Sequence, residues 1–170
     1  MPDDAYLLDT SIASALWDEL HRNHAVFRDR LQELRDARVY VSVVSLAEVE
    51  YGLRVAPNID HERQRRVREA MSAFAVLPLD SHFVESYAEL RARLFAKYSP
   101  RDARGRLKDR MVPDLWERTP DKLLGVQEND VWIASQAMER KYILATTDRM
   151  VHIVDVAGSG LRFDYWQLSA

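Results

Sequence analysis

The chain has 170 residues, 47% of them hydrophobic and 30% charged, which is the make-up of one folded domain and excludes a disordered polymer. It contains no cysteine, which removes disulfides, zinc–thiolate centres and thiol catalysis, and its net charge of −3 argues against a general basic coat for nucleic acid, though not against a local basic patch. No apolar run approaches the ~20 residues of a membrane span, and Asp3 and Asp4 stand where a signal peptide would be basic, so the expectation is a cytoplasmic protein.

The first element is the short apolar run "AYLL", residues 5–8, which reads as a buried strand and stops at Asp9. Phe27, Leu31 and Leu34 recur at helical spacing, and "RVYVSVV", 38–44, is β-branched and compact, hence a second strand. A helix is expected from Leu46 to about Arg54, stopped by Pro57. Residues 62–75 form another, with Val67, Met71 and Phe74 on one face. "AVLPL", 75–79, is a brief strand whose Pro78 places it at an edge or an end. Phe83, Tyr87, Leu90 and Leu94 mark a further helix. The rhythm then breaks over about 98–126, a stretch rich in proline, glycine and charge that reads as an insertion within one domain covering 1–170. The helical period returns through Val131, Ala134, Ala137 and Met138, "YILATT", 142–147, is a strand, and "GLRFDYW", 160–166, reads as the last one. Strands alternating with helices imply an α/β fold with a central, largely parallel sheet flanked by helices on both faces.

In such sheets, sites form outside the carboxyl ends of the strands. Four acids fall there or at helix starts that can face it: Asp9 after the first strand, Glu48 past the second, Asp130 at the start of a helix and Asp148 after "ILATT". Each has an ordinary explanation. Ser45-Leu46-Ala47-Glu48 has the form of a capping box, and the aspartates suit helix caps or first turns. Caps need not share an edge, however, and serine or asparagine serves them equally well. Clustered carboxylates repel and lose hydration, so they take up protons unless a cation is present. Magnesium and manganese favour such oxygen ligands and suit phosphodiester hydrolysis, because a metal lowers the pKa of a bound water that can then attack as hydroxide, and a second ion can stabilise the departing oxygen.

The pieces "LLDTSI", "SVVSLAEVEYGL", "NDVWIASQAMERKYILATTD" and "VAGSGLRFDYW" together resemble a PIN-domain nuclease of the kind found as the VapC-type toxin of a VapBC toxin–antitoxin pair. They span nearly the whole chain. "LLDTS" alone is weak, and the "S-x-A-E-x-x-x-G", "ND-x-x-IA" and "TTD" elements make the set specific. The resemblance implies a PIN-like fold and a divalent-metal-dependent endoribonuclease using Mg2+ or Mn2+. Asp9, Glu48, Asp130 and Asp148 would be its catalytic and metal-binding quartet, with Thr10, Ser11 and Thr147 orienting the carboxylates. It also implies an RNA substrate, a cognate antitoxin protein and a homodimer.

Glu128 is a minor rival to Asp130 as ligand, Glu50 should point away from Glu48, and Asp80 reads as a helix cap. Asp155 and Asp164 are expected at the surface. The five histidines form no i, i+4 pair, so a histidine metal site is not expected. Trp17, Trp116, Trp132 and Trp166 suit core or dimer contacts better than base stacking. Arg101, Arg104, Arg106, Lys108 and Arg110 of the insertion form either an RNA-backbone clamp or, slightly favoured, a solvated loop, and "HERQRRVRE", 61–69, reads as an exposed helix face. Three rival functions are a haloacid-dehalogenase-like phosphatase, a non-catalytic PIN-like protein-binding module and a DNA nuclease. The first needs an acid two positions after Asp9, where this chain has Ser11.

Overall fold

The computed structural model describes residues 4–34, 37–99, 101–106 and 126–168. Five strands, β1 (Ala5–Leu8), β2 (Arg38–Ser42), β3 (Ala75–Leu77), β4 (Ile143–Thr146) and β5 (Arg162–Tyr165), form one sheet in the order β3-β2-β1-β4-β5. Every neighbouring pair is parallel. The helices are α1 (Thr10–Trp17), α2 (His24–Glu33), α3 (Val43–Val55), α4 (His61–Ser72), α5 (Val84–Tyr98), α6 (Glu128–Arg140) and α7 (Val151–Ala157). The short strand β3 is an edge, as Pro78 suggested.

Side chains of a strand point alternately to its two faces, and here both faces are covered. In β1, Leu7 enters a core shared with Leu90, Leu94, Ile133 and Ile153 of α5, α6 and α7. Leu8, its neighbour, enters a second core with Ile12, Trp17, Phe27, Val67 and Met71 of α1, α2 and α4. Leu144 and Ala145 of β4 divide in the same way. Two buried faces explain why these strands read as continuous apolar runs rather than alternating ones.

Two expectations need correction. The run 38–44 is not all strand, since the chain turns into α3 at Val43. Ser42 caps that helix by accepting a hydrogen bond from the Val44 amide at 3.0 Å. Ser45 therefore lies inside the first turn, fully buried, and the capping box 45–48 does not form. The β-branched pair Val43-Val44 concealed the turn, because such residues suit a strand as well as a packed helix start. Two helices, α1 and α7, were not foreseen. Most of the insertion at about 98–126 lies outside the described residues, and so do Trp116, Lys108 and Arg110. Within it, Arg101 donates to the carbonyls of Ala96 and Gly105, and Arg106 pairs with Asp102.

Candidate metal and nucleic-acid site

Asp9 ends the central strand. Its amide donates to the Ala145 carbonyl at 2.8 Å, carrying the β1–β4 pairing one step beyond the strand. Because Leu8 lies opposite Ala145, Asp9 falls opposite Thr146, and the two side chains meet. Thr146 Oγ1 donates to Asp9 Oδ2 at 2.9 Å, and Ser11 Oγ donates to the same oxygen at 2.9 Å. Asp9 Oδ1 accepts from the Thr10 amide at 2.7 Å, so Asp9 is also the N-cap of α1. The capping reading and the site reading thus describe the same group.

Glu48, one turn into α3, is held from two sides. Thr10 Oγ1 donates to Glu48 Oε2 at 2.5 Å, and Asn129 Nδ2 donates to Oε1 at 2.7 Å. Thr10 Oγ1 also lies 2.8 Å from Ser45 Oγ. With its single proton engaged by Glu48, Thr10 accepts there from Ser45. Asp130 is in the first turn of α6 and partly buried. Asp148 is exposed just past β4; its Oδ1 accepts from the Met150 amide at 3.1 Å. Met150 takes a left-handed backbone conformation, φ 41°, in the turn that leads into α7.

Asp130 feels the other three carboxylates, and Asp9 feels Glu48. Burial is the main cause that pushes Asp130 up to about 7. The charge of Asp9 follows, Asp148 and Glu48 add to it, and a hydrogen bond from the Gln127 backbone opposes them. Burial also pushes Asp9 up, against the bonds from Thr146, Ser11 and Thr10, with Glu48 raising it further. None of the four has a lysine or arginine partner among the described residues.

The donor set fits a hard divalent cation in kind: oxygen atoms only, negative, and mutually repelling. It is not a ready-made cage. Among the described residues, no three acidic or histidine side chains converge closely enough to hold an ion. The hydrogen bonds show why. Three donors hold Asp9, Thr10 and Asn129 hold both oxygens of Glu48, and Asp148 faces its own backbone.

The neighbours of the acids were only partly foreseen. Thr10 and Ser11 do hold carboxylates. Thr147 works one step away, donating to Ser11 Oγ at 3.0 Å, while the fully buried Thr146 contacts Asp9 directly. The parity of β4 was the available signal, since Thr146 follows Leu144 and Ala145 as the third fully covered residue in a row. Asn129 was also missed, hidden beside Asp130 in "ND". Glu128 is committed elsewhere, to the Tyr87 hydroxyl and to Arg91 at 2.5 Å. Glu50 points away, to Arg54 and Arg68. Asp80 caps the turn Ser81–Phe83, Asp155 is bound by Lys97 and Tyr98, and Asp164 pairs with Arg30. Trp17 and Trp166 are buried, and Trp132 stacks on Tyr87 with ring centroids 3.9 Å apart.

A parallel sheet with acids from four chain segments at its carboxyl edge defines a class, and the family model for the PIN domain matches residues 6–157. The chain belongs to the PIN-domain family. Solved structures similar to it include VapBC2 from Rickettsia felis bound to a DNA fragment from their promoter, at TM-score 0.68 and 18% identity, covering 96% of this chain and 99% of that one. Another is DNA-bound VapBC from Salmonella typhimurium, at TM-score 0.64 and 20% identity, with 96% and 99% covered. A third is VapBC-5 from Mycobacterium tuberculosis, a member of the VapBC family of toxin–antitoxin systems, at TM-score 0.55 and 21% identity, with 95% and 98% covered. At such identities the likeness is one of fold. No curated protein matches the chain in sequence. Among the described residues, no helix is long and apolar enough to cross a membrane.

Proposed function

We propose that this chain is a divalent-metal-dependent endoribonuclease, using magnesium or manganese, and the toxin of a toxin–antitoxin pair. One observation carries the reading: Asp9, Glu48, Asp130 and Asp148 lie at one edge of a PIN-domain sheet and Asp130 feels the charge of the other three, with no basic side chain paired to any of them among the described residues. These four would hold the cation, which when bound supplies a water of lowered pKa and offsets charge on the phosphate.

The chain's own residues do the positioning. Ser11 and Thr146 fix Asp9 Oδ2, and the Thr10 amide fixes Oδ1. Thr10 and Asn129 hold Glu48 at the same edge. Asp130 keeps a proton up to about pH 7 while no positive charge is near, so that proton must leave before Asp130 can act as a ligand. In the hydrolysis a water oxygen bonds to phosphorus, one P–O bond to the ribose breaks, and the departing oxygen takes up a proton. Asp9 is a weaker fit to a phosphatase nucleophile, because the position of that chemistry's general acid holds Ser11, which donates its proton to Asp9.

The toxin half of the proposal draws support from the likeness in fold to VapBC proteins. On this reading a cognate antitoxin protein covers the site, and the active unit is a homodimer. The test is to sequence cleaved RNA ends after brief induction, with Asp9→Asn as the control. New ends that appear with the wild type alone are expected. Equal ends in both strains, or none in either, overturn the nuclease assignment, and matched DNA substrates with the purified protein separate RNA from DNA cleavage. Growth arrest that an adjacent gene product relieves is the expected sign of the toxin role. Harmless expression of an active enzyme would remove that role alone.

A further inference from the structure

A second feature adjoins the carboxylates on the β5 side. A cleft of about 820 Å³ opens between α7 and the end of β5, with walls that include Thr147, Arg149, Val151, Tyr165 and Leu168, and also Asp155, whose charge Lys97 offsets. None of the four acids lines it, but it adjoins them through the chain and through one hydrogen-bond relay. Thr147 and Arg149 bracket Asp148 in the chain, and Thr147 joins Asp9 through Ser11. Its lining is mostly apolar, and Val151, Tyr165 and Leu168 are each about half exposed.

Two of these side chains have complementary chemistry. The Tyr165 ring stacks on Phe163, with centroids 5.6 Å apart and planes 5° apart, and its hydroxyl donates to the Arg149 carbonyl at 3.3 Å. The ring is therefore held firmly while part of it stays open. Arg149 is exposed and has no carboxylate partner among the described residues, unlike Arg30, Arg54, Arg63 and Arg68, each of which is paired. A flat aromatic surface beside an unengaged guanidinium matches the two parts of one nucleotide, a base and a phosphate. An apolar peptide helix would use the valine and leucine rim and leave the guanidinium unmatched.

We infer that this cleft is the subsite for the nucleotide next to the scissile phosphate, with its base on Tyr165 and its phosphate on Arg149. The inference rests on the nuclease reading above and names the strand's path across the sheet edge, from the carboxylates toward β5. Arg149 supplies positive charge that the quartet lacks, and Tyr165 supplies stacking that tolerates any base.

The test pairs protein variants with altered substrates, once the cut site has been mapped. Tyr165→Leu keeps the bulk and removes the π-face; it should raise KM about tenfold and leave kcat within about twofold. A wild-type reaction on an oligoribonucleotide that is abasic next to the cut should lose the same factor, and Tyr165→Leu should lose nothing more on that substrate. Tyr165→Phe keeps the π-face and loses only the bond to the Arg149 carbonyl, so its KM should lie closer to the wild type than that of Tyr165→Leu. With a short fluorescein-labelled single-stranded oligoribonucleotide in EDTA, Tyr165→Leu should bind about tenfold more weakly. In the same assay Arg149→Gln should reduce the slope of log affinity against log salt by about 0.7. Additive losses, or unchanged KM and binding in Tyr165→Leu while the wild type cuts RNA, overturn the subsite. If that variant loses only its hold on a protein partner, the cleft is a protein-docking surface instead. If the wild type cuts no RNA, the nuclease reading falls, and the binding arm still decides the cleft.

Discussion

Two acidic regions of the molecule treat their carboxylates in opposite ways. On the outer face of α3 and α4, Glu50 sits between Arg54 and Arg68, and Glu62 meets Arg65 and Arg66. Hydrogen bonds from these arginines hold both glutamates below the usual carboxylate range. At the carboxyl edge of the sheet, the acids meet hydroxyls, an amide side chain and one another, and Asp9 and Asp130 are pushed up. The first region has its counter-charge built in and is finished as folded. The second carries a charge deficit that a cation from solution would fill. The type of residue is the same in both places, so neighbours rather than acid count separate a solvated face from a candidate site.

The sharpest way to break this contrast is Asp130→Asn. It removes the carboxylate most affected by its neighbours, and cleavage should fall by several orders of magnitude while the folded state is kept, as checked by circular dichroism. Activity near wild type would strike Asp130 from the ligand set. Next in size is Thr146→Val, which keeps all four carboxylates but removes the buried donor to Asp9 and the acceptor of the Asp148 amide. Loss of such a supporting contact should lower cleavage or metal affinity about 10- to 100-fold. An equal loss in Thr147→Val would show that the direct bond carries no special weight.

The third effect concerns stability. Burial first, and then the neighbouring carboxylates, push Asp130 in the folded chain up to about 7 from an ordinary value of 3.8. The folded state therefore binds more protons between those values, and stability should fall as pH rises through that window and then level off. Magnesium competes with that proton, so it should raise Tm more at pH 8 than at pH 5.5, and the difference should shrink in Asp130→Asn. Equal shifts at both pH values would separate metal binding from this carboxyl. The smallest effect belongs to the outer face. Arg68→Ala breaks an exposed pair and should leave Tm within roughly 2 °C and cleavage unchanged.

Much of this arrangement was legible in the sequence. β1 and β4 were visible because a strand covered on both faces is a short, unbroken apolar run; Asp9 follows β1 directly and Asp148 stands two residues past β4. The positions of Asp9 and Asp148 followed from that alone. For Glu48, the ordinary explanation by a capping box at 45–48 fails, since the helix starts at Val43 and Ser45 is interior. A capping motif reports a helix start only where the backbone turns, and a β-branched run hides that turn. Asn129 and Thr146 escaped because each sits beside a residue that looked more chemical, Asp130 and Thr147. Their roles depend on which way a side chain faces, and the register of β1 against β4 decides that.

That register also governs when the cluster can exist. Thr146 reaches Asp9 across 137 positions of chain, and Asp148 lies further on still. Contacts so distant in sequence form only after a large loop has closed. During synthesis, a ribosome-bound chain holding only its first hundred or so residues carries two of the four acids and none of β4. Such a chain lacks half of the acid cluster, which is completed only when the last quarter of the chain, with α6 and β4, has docked.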